Sequence, residues 1–196
     1  MRRLKLAILI SGRGSNMEAL LKAIAADLDF PATPVLVASN KPDAPGLEIA
    51  DAADVPTVAL DHRDYGKDRA AFEKELDDEL RRSGTEIIAL AGFMRVLTPW
   101  FVSRWEGRMI NIHPSLLPKY KGLDTHQRAL DAGDSEAGCT VHWVNSGVDD
   151  GEIIAQARVP ILRGDTEDTL AARTLIAEHM LFPEALKIAC AKILKR

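Results

Sequence analysis

Leu4-Lys5-Leu6-Ala7-Ile8-Leu9-Ile10-Ser11-Gly12-Arg13-Gly14-Ser15-Asn16 is an aliphatic run, then a glycine-rich turn, then the opening of a helical pattern. The run has the length of a strand, and Ser11 and Gly12 break it at once. From Asn16 to Leu28, Met17, Leu20, Leu21 and Ile24 recur at helical spacing. Glycines permit a tight turn, and the first N–H groups of a helix have no partner within it. Gly14, Ser15 and Asn16 are therefore placed to receive an anion. The turn lacks the lysine of a triphosphate-binding loop and the full spacing of a dinucleotide fold, so a ribose monophosphate suits it better. The plainer alternative is that Ser15 or Asn16 only caps the helix.

Outward from this unit, short β-rich runs alternate with stretches of helical period. Strands are expected at Pro34–Ala38, Pro56–Leu60, Glu86–Ala91 and Arg108–His113. Helices are expected at Ala44–Asp54, Lys67–Arg82 and Pro99–Trp105, with an irregular loop from Pro114 to Gly122. Cys139–Val144 and Glu152–Ile161, joined by turn-rich Asn-Ser-Gly-Val-Asp-Asp-Gly, read as an antiparallel hairpin. Thr166–Leu194 is helical in period, with an interruption expected near Pro183. The expected fold is α/β: a single doubly wound, mostly parallel sheet with helices on both faces and an antiparallel edge hairpin in the C-terminal half. No linker-like stretch divides residues 1–196, so one domain is expected.

Composition narrows the classes of function. The 196 residues are 46% hydrophobic, enough for a core without disulfides or a structural metal. A net charge of −4 argues against a nucleic-acid surface. The longest apolar runs fall well short of the roughly 18 residues of a membrane span, and the N-terminus carries no leader-like cleavage site. A cytoplasmic chain with small-molecule partners is expected, as monomer or homodimer. Cys139 and Cys190 fit buried free thiols. The five histidines show no metal-ligand spacing, so no metal is expected.

The chemistry concentrates in Asn111-Ile112-His113-Pro114-Ser115-Leu116-Leu117-Pro118. Asn111 and His113 lie two apart at a strand's carboxyl end, where open α/β sheets bind ligands, and so share a face. An amide N–H can stabilise an oxyanion and a histidine can donate a proton, which equips acyl transfer without a nucleophile. On this segment alone, a loop-stabilising hydrogen bond explains the histidine equally well. Asp149, before Asp150-Gly151, can likewise be a turn residue.

Ser-Gly-Arg-Gly-Ser-Asn at 11–16, Ala-Gly-Phe-Met-Arg-Val-Leu at 91–97, the segment 111–118 and Val-Asp-Asp-Gly at 148–151 together resemble the phosphoribosylglycinamide formyltransferase family, in family order. That resemblance implies transfer of a formyl group from 10-formyltetrahydrofolate to glycinamide ribonucleotide. It implies catalytic roles for Asn111, His113 and Asp149, and acceptor contacts from Gly14, Ser15, Asn16 and Glu178. It places folate between Met94, Arg95, Val96 and Leu97 on one side and Asn145, Ser146, Gly147 and Val148 on the other, with Asn111 at the reacting end. The N-terminal part would hold the nucleotide phosphate, and the C-terminal part the folate pocket and catalytic groups. Arg63 would meet the folate glutamate, and His126 would support the pocket wall. Asp150 stands where a similar sequence can have glycine. A carboxylate beside His113 is expected to outweigh burial and raise the histidine's pKa.

The nearest alternative, formyltetrahydrofolate hydrolase, is similar at the same trio but normally has an N-terminal regulatory domain that this sequence does not show. Methionyl-tRNA formyltransferase is longer, with a nucleic-acid-binding domain. A non-catalytic binding module would have no need of Asn111, His113 and Asp149 together.

Overall fold

A computed structural model describes residues 2–195. Seven strands form one sheet in the order β3-β2-β1-β4-β5-β6-β7. The strands are β1 (Leu4–Ile10), β2 (Ala32–Ser39), β3 (Thr57–Ala59), β4 (Ile87–Leu90), β5 (Met109–His113), β6 (Glu136–Trp143) and β7 (Ile153–Pro160). β1 to β5 run parallel, whereas β6 is antiparallel to both β5 and β7. The expected mostly parallel sheet with an antiparallel edge is therefore observed.

Period-two alternation in β1 splits its side chains between two layers. Leu4, Leu6, Ile8 and Ile10 face a core built on α1 (Ser15–Ala26), α2 (Gly46–Ala52) and α6 (Glu167–Leu194). Ala7 and Leu9 face the opposite layer, with Phe72, Leu76 and Leu80 of α3 (Arg69–Arg82) and Phe101 and Val102 of α4 (Pro99–Arg104). β1 is buried on both sides because it lies central in the sheet, which is why it reads as a continuous aliphatic run. The side chains of Asp68 and Thr98 cap α3 and α4, and Thr166 with Thr169 forms a reciprocal capping box on α6.

One expectation is corrected, and one element is added. α6 runs unbroken through Pro183: Phe182, Pro183, Ala185 and Leu186 are all buried against the sheet, and this packing outweighs the missing backbone donor. A helix absent from the sequence reading, α5 (Thr125–Asp131), follows the Pro114–Gly122 loop. It spans one short stretch and starts from Asp124 in a left-handed conformation without a side-chain cap, so neither period nor cap announces it.

Candidate active site

The glycine turn links β1 to α1. Gly14 adopts φ 73°, and no side chain caps the helix behind it. Asn16 instead donates from Nδ2 to Glu178 Oε2 of α6 at 2.7 Å, both residues being buried. The helix N–H groups are thus left for a ligand. A second glycine makes the turn possible: Gly46 N–H donates to the Gly12 carbonyl at 3.1 Å, and a Cβ on Gly14 would stand 3.0 Å from Gly46 Cα. Among the described residues no cation lies beside Glu178; burial pushes its pKa up, and the Asn16 hydrogen bond only partly opposes this.

Asn111 and His113 sit on β5, paired across the ladder with His142 and Thr140 of β6. Asp149 reaches them from the β6–β7 connection, in a left-handed conformation at φ 47°. Its Oδ2 lies 3.3 Å from His113 Nδ1 and accepts the Gly122 N–H at 2.9 Å. Its Oδ1 lies 3.5 Å from Asn111 Nδ2 and 3.6 Å from His142 Nε2. One carboxylate thus touches three side chains and the backbone of the 114–122 loop. His113 Nε2 faces the Tyr120 carbonyl at 2.9 Å, so both ring nitrogens are engaged by protein.

Burial is the largest influence on His113 and holds its pKa below the ordinary histidine value. The Tyr120 carbonyl and Asp149 push upward without prevailing, and His142 and Arg128 add to the lowering. The expected rise is therefore corrected: the Asp149 charge is divided among several partners, while the ring is only 5% exposed. For Asp149 burial is again the largest influence and acts upward, but His142, the Gly122 N–H and His113 together bring its pKa below the usual carboxylate value.

A cleft of about 150 Å³ is lined by Arg95, Val96, Leu97, Asn145, Ser146, Gly147 and Val148, together with Asn111, His142 and Asp149. Leu90, Phe93, Val102 and Val144 complete an apolar wall that sequence reasoning missed. Met94 lies outside this lining and is 68% exposed. Arg63 does not line the cleft either; its guanidinium forms an ion pair with Asp61 at 2.6 Å. His126 borders a separate cavity of about 290 Å³, behind the 114–122 loop with Ser115, Tyr120 and Gln156. Asp150 faces away to pair with Lys121.

His142 is the principal omission of the sequence reading. Its Nδ1 is 2.9 Å from the Trp143 carbonyl, and its Nε2 sits 3.3 Å from Asn111 Nδ2 and 3.6 Å from Asp149 Oδ1, which holds that amide against the ring. Alternation along Cys139–Val144 puts Thr140, His142 and Val144 on one face, but only the strand register shows that this face meets Asn111. Among the described residues no three His, Cys, Asp or Glu side chains are grouped as metal ligands.

Residues 4–186 match the family model described as formyl transferase. A phosphoribosylglycinamide formyltransferase of Escherichia coli is 44% identical over 180 residues, covering 92% of this chain and 84% of that protein. A trifunctional purine biosynthetic protein adenosine-3 of Drosophila pseudoobscura is 49% identical over 195 residues; the chain spans only 14% of its length. The crystal structure of a phosphoribosylglycinamide formyltransferase from Brucella melitensis superposes with a TM-score of 0.92 at 50% identity, covering 97% of each chain.

Proposed function

From the membership of this chain in the formyl transferase family, we propose that it transfers the formyl group of 10-formyltetrahydrofolate to the amine of glycinamide ribonucleotide in purine biosynthesis. The observation that carries this reading is the convergence of Asn111 and Asp149 in one cleft with Arg95–Leu97 and Asn145–Val148. An apolar cleft ending in an amide donor and a carboxylate suits a flat heterocycle carrying a carbonyl that must gain negative charge.

Asn111, held by His142, donates from Nδ2 to the formyl oxygen as the amine attacks the formyl carbon. The amine nitrogen bonds to the formyl carbon and its C=O becomes a C–O⁻ facing Asn111; the carbonyl then re-forms as the bond to the folate nitrogen breaks, and that nitrogen gains the proton the amine loses. Asp149 takes up the amine proton through a water and passes it to His113 Nδ1, 3.3 Å away, as His113 Nε2 delivers its own proton to the leaving nitrogen. His113 can do so only after exchanging a protein contact for substrate. The Tyr120 carbonyl is the one to exchange, because it sits on a loop whereas Asp149 is tied to several partners. Gly14, Ser15 and Asn16 hold the acceptor's phosphate by backbone N–H groups, and Glu178 takes its ribose hydroxyls. Arg63 meets the folate glutamate by leaving Asp61.

The unit works as one catalytic domain with small-molecule partners in the cytoplasm, and no described helix is long and apolar enough to cross a membrane. The deciding assay follows 10-formyltetrahydrofolate consumption with and without glycinamide ribonucleotide. Consumption only with the acceptor, giving formylated product, is expected. Acceptor-independent release of formate would assign the hydrolase reaction instead.

A further inference from the structure

The two substrate regions are joined by one buried hydroxyl. Ser11, 5% exposed at the root of the glycine turn, accepts the Met94 N–H at 2.8 Å across 83 residues of sequence. The same hydroxyl donates to Asn40 Oδ1 at 2.5 Å, and Asn40 is itself buried at the end of β2. Its single hydrogen and one lone pair are thus both used, and its rotamer is set from two sides. Met94 opens the segment whose next three residues, Arg95, Val96 and Leu97, form a wall of the cleft. At the far end of that segment, buried Glu73 of α3 accepts from Thr98 N–H at 2.8 Å and from the Thr98 hydroxyl. The wall therefore hangs between two buried side chains, only one of which belongs to the acceptor turn.

We propose that Ser11 is a positioning residue that couples the two sites, so that a phosphate-bearing acceptor seated on the glycine turn tightens the binding of the folate, and the reverse. This rests on the reading given under Proposed function. An anion on the N–H groups of Gly14 to Asn16 orders the turn and with it Ser11. Ser11 then fixes Met94 N–H and the wall behind it, so the second ligand meets a surface already ordered. Linkage makes the effect reciprocal. Glu73 restrains the same wall without touching the turn, so it contributes to folate affinity but not to coupling.

The test measures tetrahydrofolate, which has no formyl group to transfer, by calorimetric titration with and without saturating glycinamide ribonucleotide. For the native chain the Kd is expected to fall about fivefold or more in the presence of the acceptor, the lower end of usual coupling. Ser11→Ala is expected to reduce that ratio below about twofold while each ligand still binds alone. Glu73→Gln is expected to weaken tetrahydrofolate binding and keep the ratio. Should Ser11→Ala not fold, Asn40→Ala, which frees the same hydroxyl, supplies the measurement with the same expected loss. A native ratio near one overturns the coupling, as does a ratio that survives both Ser11→Ala and Asn40→Ala. An acceptor that does not bind the native chain at all would instead defeat the assignment of the substrates.

Discussion

At the scale of single residues, the site sets stability against chemistry. Glu178 is buried beside an amide with no cation in reach among the described residues, and its raised pKa marks a carboxylate that would be more stable neutral. Glu178→Gln keeps an acceptor for Asn16 and removes the charge. Its melting temperature at pH 7 should rise by about 2–4 °C, the shift that roughly 1 kcal/mol gives in a chain of this size, while the KM for the acceptor increases. A scan showing no gain would contradict the idea of an unpaired buried charge. Asn111→Ala should lower kcat about 100- to 1,000-fold with little change in melting temperature, as loss of an oxyanion donor does. Asp149→Asn removes one of the two upward influences on His113, so its NMR titration should move to still lower pH, and the rate should fall with it. A titration that stays in place would return Asp149 to the status of a turn residue. The residues with a motif around them, Asn111, His113 and Asp149, were legible in the sequence. His142 was not, because its part depends on which strand lies beside β5 and in what register.

Among elements, the boundary between β1 and α1 was readable because strand length, glycine turn and helical period coincide within residues 4–28. What could not be read is that α2 packs on that turn by backbone contact. A Cβ at Gly46 would lie 2.6 Å from Ile10 Cδ1, 3.0 Å from the Gly12 carbonyl and 3.2 Å from Gly14 Cα. Two of those neighbours are main chain and cannot rotate aside, so Gly46→Ala must displace either α2 or the turn. The main chain has to give by a few tenths of an ångström, and since a misplacement on the order of 1 Å costs about a hundredfold, a smaller loss in kcat/KM is expected. The loss should fall on the acceptor's kcat/KM and leave the folate's KM much less changed; equal effects on both would argue against the turn as the acceptor site. α6 teaches a related lesson, since Pro183 is a stop signal locally but its neighbours are buried side by side in the tertiary structure. Sequence reading recovers what local chemistry decides and loses what packing overrules.

For the molecule as a whole, three histidines, His113, His126 and His179, have pKa values held below the ordinary histidine value by burial. The unfolded chain therefore takes up protons before the folded one once pH drops below about 6.5, and stability declines from there downward. Glu178 acts in the opposite sense: its raised pKa makes the folded chain gain relative stability as it is protonated on acidification. The melting temperature should fall between pH 7 and pH 5, and more steeply in Glu178→Gln, which lacks the opposing group. A flat profile would show that these rings are not buried neutral.

The sheet itself ends bluntly on both sides. β3 has three residues, and β7 carries Arg158, in an ion pair with Glu136, and terminates at Pro160. Short, charged or proline-bearing borders give a foreign strand little backbone to pair with. Homologous stretches occur within chains about seven times longer, of which this length is 14%. Tethering holds neighbouring folds at high local concentration, where an open border would invite aggregation. A unit sealed in this way can be spliced into a polyprotein without becoming its seed.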